Sequence, residues 1–276
     1  MLTVDRGSVF DLDNECMGIL DRFSLDKKVV LVTAGAGPLF GKSISEAMVE
    51  AGATLITASR SLERNLVFAQ GLRDLGYDAH GMELDITKPD SICSLRDEVR
   101  RKFGRLDVLV NSALARVGGS FETQTPEDWS YSAQGDMVGL FVICKAFLED
   151  MVLRRKGSII NISSIYGVVA NDPALHGASG MDHPPHYDFV KAGMVNFTRH
   201  IATNFGKKGI RANCISPGGY LEDQPKAFVD SYCARVPVGR MLENEDIKGA
   251  AVFLASDASE YVNGVNLMVD GGWTAM

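Results

Sequence analysis

The 276-residue sequence has no run approaching the ~20 consecutive apolar residues that a bilayer-spanning helix needs, so a membrane-spanning protein is not expected. It also has no surplus of basic charge. Against 28 Lys and Arg stand 35 Asp and Glu, a formal net charge of −7, which leaves no positive field for a phosphate backbone and argues against a nucleic-acid partner. Cysteine is sparse: Cys16, Cys93, Cys144, Cys214 and Cys233 are scattered, odd in number and show neither a CxxC pair nor zinc-ligand spacing. Reduced, buried thiols and no metal are the expectation. The first residues, Met1 to Asn14, are polar and acidic where a signal peptide is basic and then apolar, so a cytoplasmic location is expected. No Pro/Ser/Gly linker, internal repeat or low-complexity tract marks a second domain. What the chain does have is 46% hydrophobic residues, enough for a large core, and 28 glycines, whose places carry most of the argument.

Short aliphatic runs alternate with longer amphipathic stretches, the pattern of repeated βα units. Strands are expected near Val29–Thr33, Thr54–Ser59, Asp78–Leu84, Leu106–Val110, Ser158–Ile162, Arg211–Ile215 and Val265–Val269. These runs are continuously apolar rather than alternating, as when helices bury both faces of a parallel sheet. The fold class is therefore α/β: a single Rossmann domain at residues 28–276, a doubly wound parallel sheet of about seven strands. Residues 1–27 are read as an N-terminal arm. Thr87-Lys88-Pro89-Asp90, Thr125-Pro126-Glu127-Asp128 and Asn244-Glu245-Asp246 look like helix starts, the first two with a capping hydroxyl and a first-turn proline. Residues 171–186 are expected to form a long loop, a natural place for substrate contacts. Phe141, Phe147, Met151 and Met194 recur at helical spacing and read as core or interface packing.

After the first strand comes Thr33-Ala34-Gly35-Ala36-Gly37-Pro38-Leu39-Phe40-Gly41, leading into a helix. A strand, a turn of small residues and a helix N-terminus present free amides and a positive dipole end that suit a pyrophosphate. The second strand ends in Ser59-Arg60, with Arg64 nearby, where an acidic residue would select NAD. A guanidinium there engages a 2′-phosphate, so NADP is favoured, with NAD as the alternative. Asp85 and Ile86, following the third strand, stand where adenine is read; the plainer role for Asp85 is a turn aspartate before Thr87.

Tyr187 and Lys191 are four apart, on one face of a helix. An ammonium beside a phenol favours the phenolate and lets it give or take a proton at a carbinol oxygen. Upstream, Ile162-Ser163-Ser164 ends a strand in hydroxyls, and Ser164 is placed to hold the substrate oxygen. His183 and His186 flank Pro184-Pro185; without a carboxylate or thiol around them they read as loop residues, with His186 and Tyr220 as candidate substrate contacts.

Taken together these segments resemble the short-chain dehydrogenase/reductase family, from about Leu25 to Trp273. The resemblance rests on the glycine loop, Leu84-Asp85, Leu106-Asp107-Val108-Leu109-Val110-Asn111, the Ser163-Ser164 strand end, Tyr187 with Lys191, Arg211-Ala212-Asn213-Cys214-Ile215-Ser216-Pro217-Gly218 and Val269-Asp270-Gly271-Gly272. It implies Tyr187 as acid/base, Lys191 also on the nicotinamide ribose, and Ser164 orienting substrate. Thr33, Asn111, Ser112, Ala113, Pro217, Gly218 and Gly219 would lie beside the cofactor. It further implies a dimer or tetramer. Ile162 to Gly219 and Val236 to Met241 look most like the subgroup associated with bacterial flagellin modification and sialic-acid-like sugar biosynthesis.

The chain departs from the family pattern at five positions. Ala34 and Leu39 occupy positions of loop glycines, and Leu114 replaces another glycine. Asp136 stands where the helix asparagine completes the catalytic tetrad. A threonine usual after Pro217-Gly218 is missing. The expected function is hydride transfer between a nicotinamide and a carbinol or ketone carbon of a polyol, sugar derivative or small keto compound. The alternatives are a nucleotide-binding sensor with little catalysis, motivated by Leu39, Leu114 and Asp136, and a cofactor-assisted sugar epimerase or dehydratase.

Overall fold

The structure, a computed structural model, describes residues 18–276 except 177, 178 and 180. Among the described residues seven strands form one sheet: β1 (Val29–Thr33), β2 (Thr54–Ser59), β3 (Ala79–Glu83), β4 (Val108–Asn111), β5 (Gly157–Ile162), β6 (Ile210–Pro217) and β7 (Asn266–Val269). Every pairing is parallel, and the spatial order is β3-β2-β1-β4-β5-β6-β7. The order runs outward from β1 to β3, then returns to β4 and proceeds the other way. Loops leaving the carboxyl ends of β1 and β4 therefore diverge, and a crevice opens between them.

Helices cover both faces. α3 (Pro89–Phe103), α5 (Leu140–Arg154) and α7 (Pro185–Phe205) bury Ile92, Leu95, Phe147, Met151 and Met194 against Leu31, Ile56, Leu109 and Ile159. On the other face α1 (Phe40–Glu50), α2 (Leu62–Asp74) and α9 (Lys248–Ala255) bury Ile44, Met48, Ala69 and Leu254 against Val30, Leu55, Val110 and Ile160. Strands flanked this way need apolar residues at consecutive positions, which is why β1 and β4 are buried along their whole length. Of the stripe Phe141, Phe147, Met151 and Met194, the last three are core and Phe141 is 51% exposed.

Two helix starts differ instructively. α4 (Pro126–Ser132) opens with the expected capping box, Thr125 and Asp128 bonding each other's amides. α3 does not: its N-cap is Lys88 without a side-chain cap, because the Thr87 hydroxyl donates instead to Asp85 Oδ1 at 2.6 Å. β4 begins two residues later than expected and extends through Asn111. Leu106 spends its carbonyl on Arg154, while the buried Asn111 amide donates to Asn161 Oδ1 across the strand pair at 2.8 Å.

The expected 171–186 loop is partly helical. α6 (Pro173–His176) lies within it, Pro185 and His186 already belong to α7, and Leu175 packs with Phe228, Tyr232 and Val236 of the α8 region (α8, Lys226–Arg235) in a satellite core. Asp172 is ion-paired to Arg235. Of the expected N-terminal arm, residues 1–17 lie outside the described residues. Leu25 is fully buried, and Arg22 bonds the Asp257 carbonyl and Glu260, so the stretch leading into β1 is anchored.

Candidate active site

A cleft of about 410 Å³ runs along the carboxyl ends of the strands, from Arg60 and Arg64 at one end to Tyr187 and Lys191 at the other. Its floor is the β1–α1 loop. Ala34 donates its amide to Ala58 O at 2.7 Å and its carbonyl accepts from Gly37 N at 2.9 Å, folding the loop tightly at the head of β1. Gly41 is obligatory, since a Cβ there would fall 2.2 Å from the Ala34 carbonyl oxygen. The two departures from glycine keep glycine-like backbone: Ala34 has φ 54° and Leu39 has φ 68°, ψ −144°. The loop geometry has thus been retained at the expense of strain, on the order of 1–3 kcal/mol for each such residue. Leu39 is also the N-cap of α1 and supplies no side-chain cap, so the first amides of the helix are left for a ligand.

The expected cofactor residues divide into two groups. Gly37, Leu39, Phe40, Gly41, Ser59, Arg60, Asp85, Ile86, Ser112, Ala113, Tyr187 and Lys191 line the cleft. Thr33, Gly35 and Asn111 lie beneath it. The Thr33 hydroxyl oxygen accepts from the amides of Ser112 and Ala113, both at 2.9 Å, and so shapes the β4 end. Gly35 presses on Ser45 and Thr57, whose hydroxyls a Cβ would approach to 2.5 and 2.7 Å. Pro217, Gly218 and Gly219 end β6 outside the main cleft; Gly218 lines a neighbouring depression and Gly219 N donates to Tyr232 Oη at 2.6 Å. The cleft also takes in Leu114, the residue that replaces a family glycine, and Arg116, Tyr131 and Ser163, which sequence reasoning did not place there.

At the Arg60 end of the cleft, Asp85 forms the expected turn with Thr87. Its Oδ1 accepts from the Thr87 amide and hydroxyl, and Lys88 Nζ lies 3.4 Å from Oδ2. Burial works against its charge, but these bonds outweigh it and hold the carboxyl below its ordinary value. Among the described residues no carboxylate pairs with Arg60 or Arg64.

At the other end, Lys191 is buried. Its Nζ donates to Ile162 O at 2.7 Å and sits 5.5 Å from the centre of the Tyr187 ring. Ser163 Oγ donates to Lys191 O at 2.9 Å, so β5 and α7 are tied at both the backbone and the ammonium of this residue. Ser164 is 6% exposed and caps the turn after β5, accepting from Tyr166 N at 3.2 Å. Asp136 lies in a π-helical turn (Ala133–Gly139) between α4 and α5. Gly139 makes that turn possible by approaching the Ile86 carbonyl closer than any side chain allows. Asp136 accepts from Ala115 N at 2.8 Å and from Ser132 Oγ at 3.1 Å. Burial pushes its carboxyl above the ordinary value, partly offset by the Ala115 amide, Lys191 and Ser132.

Of the two expected substrate contacts, Tyr220 packs edge-on to Phe40, with ring centres 5.4 Å apart, at the mouth of the cleft. His186 points elsewhere: it is buried, with Nδ1 2.7 Å from Gln124 Nε2 and its ring against Trp129. Its companion His183 is nearer the phenol. Its ring meets those of Tyr166 and Tyr187 at 4.5 and 6.0 Å, and Nε2 lies 2.5 Å from Asp188 Oδ1. That carboxylate follows Tyr187 directly in sequence and was the partner the sequence reading overlooked. Among the described residues no group of three His, Cys, Asp or Glu side chains forms a metal site, and no helix is long and apolar enough to cross a membrane.

The family model described as enoyl-(acyl carrier protein) reductase matches residues 39–274. The 3-oxoacyl-(acyl-carrier-protein) reductase FabG of Vibrio cholerae is 34% identical over 254 residues, 90% of this chain and 98% of that protein. A gluconate 5-dehydrogenase from Burkholderia cenocepacia, solved with NADP and tartrate, superposes with a TM-score of 0.85 at 30% identity, covering 94% of this chain and all of the other. A short-chain dehydrogenase from Leptospira borgpetersenii, solved with NAD+, gives a TM-score of 0.80 at 30% identity over 93% of this chain and 96% of its own. On these matches, with the sheet order and the cleft already described, the chain belongs to the short-chain dehydrogenase/reductase family.

Proposed function

We propose that residues 28–276 form one catalytic domain of a cytoplasmic, NADP-preferring oxidoreductase that interconverts a carbinol and a ketone. The observation that carries this reading is one cleft with two guanidinium groups at one end, neither held by a carboxylate among the described residues, and a phenol with a buried ammonium at the other. The bound nicotinamide would supply or accept the hydride. The chain fits such a group: the α1 N-terminus and its uncapped amides face the cleft at mid-length, Arg60 and Arg64 suit a 2′-phosphate, and Lys191 suits the ribose beside Tyr187. The related proteins solved with NADP and with NAD+ support either nucleotide in this fold.

Tyr187 moves the proton at the substrate oxygen, and Lys191 favours its ionised form at that moment. Ser164, at the end of β5, orients the substrate oxygen. Asp136 lies close enough to Lys191 for the ammonium to favour its carboxylate form, against the burial that raises it. The substrate is read as a polyol, sugar derivative or small keto compound, from the mixed polar and aromatic content of residues 112–122, 171–186 and 219–235. Relatives acting on gluconate and on 3-oxoacyl groups are in keeping with that range. The exposed apolar strip of Met137, Phe141 and Phe189, beside a groove formed with Leu140, Val190 and Met194, supports a homo-oligomer built through α5 and α7.

The test is a fluorescence titration with NADPH and NADH followed by turnover against a panel of hydroxy and keto compounds. Wild type should bind and turn over. Tyr187→Phe should bind the nucleotide normally and lose turnover by at least about a hundredfold. Tight nucleotide binding with no turnover on any compound would overturn the enzyme reading in favour of a sensor.

A further inference from the structure

Arg60 does not simply face solvent. From the end of β2 it reaches across the adenosine end of the cleft, and its Nη1 donates to Tyr131 Oη at 3.4 Å. Tyr131 comes from the opposite wall, the last turn of α4, and is 41% exposed. Between them the floor is Asp85 to Thr87, where the one carboxylate is already committed to Thr87 and Lys88. The remaining polar groups here, Arg60, Arg64, the Ser61 hydroxyl and the Tyr131 phenol, can all donate, and all line one continuous surface. Four side chains able to donate, with no uncommitted carboxylate among them, suit a dianion. A phenol in that position is chemically specific. It accepts from Arg60 when no anion is bound and turns to donate its own O–H when one is.

We propose that Tyr131 is a specificity-determining residue of the cofactor site, donating to the 2′-phosphate of NADP together with Arg60. This rests on the oxidoreductase reading, but it concerns nucleotide binding and is tested without any substrate. The purified full chain and its Tyr131→Phe, Arg60→Ala and doubly substituted variants are titrated with NADPH and NADH, and with adenosine 2′,5′-bisphosphate and AMP as competitors. Because phenylalanine keeps the ring and the site is partly exposed, the variant should melt with wild type. Tyr131→Phe should weaken NADPH about 3- to 10-fold, the net effect of one ordinary hydrogen bond at a partly exposed site, and NADH less than about twofold. The bisphosphate and AMP should split in the same way. The double variant should lose less NADPH affinity than the product of the single losses, because the two donors share one phosphate. An unchanged NADPH/NADH ratio in Tyr131→Phe overturns the proposal, as does an equal loss for both nucleotides, which would mean the ring serves only as a stacking surface. A wild type that binds neither nucleotide overturns the oxidoreductase reading itself.

Discussion

Replacing Leu39 by glycine should leave the protein about 1 kcal/mol more stable than replacing it by alanine, the reverse of the usual ranking. Leu39 sits at φ 68°, ψ −144°, close to a region that almost only glycine occupies. A residue with a Cβ held there stores about 1–3 kcal/mol, taken as about 2. Glycine relieves that strain but costs about 0.5–1 kcal/mol through the greater freedom of the unfolded chain. The balance is about 1 kcal/mol in favour of glycine. Both variants lose the contacts of the half-buried leucine side chain, so the comparison between them cancels that loss and isolates the backbone. For a chain of this length the difference corresponds to about 2 °C in Tm, measurable by calorimetry and by urea midpoints at constant m. The glycine variant should also bind NADPH at least as tightly as wild type, since the side chain at the pyrophosphate position is gone. An alanine variant as stable as the glycine variant would refute the strain argument.

Three further outcomes follow from the site and the core. Asp136→Asn should raise stability at neutral pH, with the difference disappearing at low pH. A buried carboxyl whose folded pKa lies above its unfolded value loses stability as pH rises through that interval, and the amide removes the loss while still bonding Ala115 and Ser132. Unchanged denaturation curves across pH would count against the argument. Gly41→Ala should cost about 1–3 kcal/mol by thermal denaturation and weaken NADPH at least tenfold, because the new Cβ must displace the Ala34 carbonyl. Burial pushes the Cys144 thiol up to about 12 and that of Cys214 up to about 11, so both should resist alkylation at pH 8 until the protein unfolds, which mass spectrometry of labelled peptides would check.

The sheet was legible because consecutive apolar residues have one cheap interpretation when helices cover both faces, and Val29–Thr33 and Thr54–Ser59 match their expected strands residue for residue. Misjudged boundaries trace to side chains that redirect backbone bonds. Arg154 takes the Leu106 carbonyl from β4, and Thr87 serves Asp85 rather than the helix it precedes. Asn111 lay just beyond the expected strand, yet it continues β4, and Asn161 answers its amide inside the core. The role of Tyr187 and Lys191 was read only with the upstream serines and the family resemblance, while their juxtaposition was visible from helical spacing. Tyr131 and His183 were not, since their partners Arg60 and Asp188 are recognised only once a strand end faces a helix or a loop folds back on its own helix. Leu39 and Ala34 show the reverse: their identities argued against a glycine loop, and the packing of Gly41 on Ala34 imposed its geometry anyway.

The double tie between β5 and α7, Ser163 to the Lys191 carbonyl and Lys191 to the Ile162 carbonyl, has a consequence for how this protein can change. Ser164 and Tyr187 stand on either side of residues 168–184, yet the elements that carry them are held in register by bonds that do not pass through that segment. The segment is therefore an exchangeable cassette between two fixed posts. A change in its length or sequence should therefore leave the two ties in place.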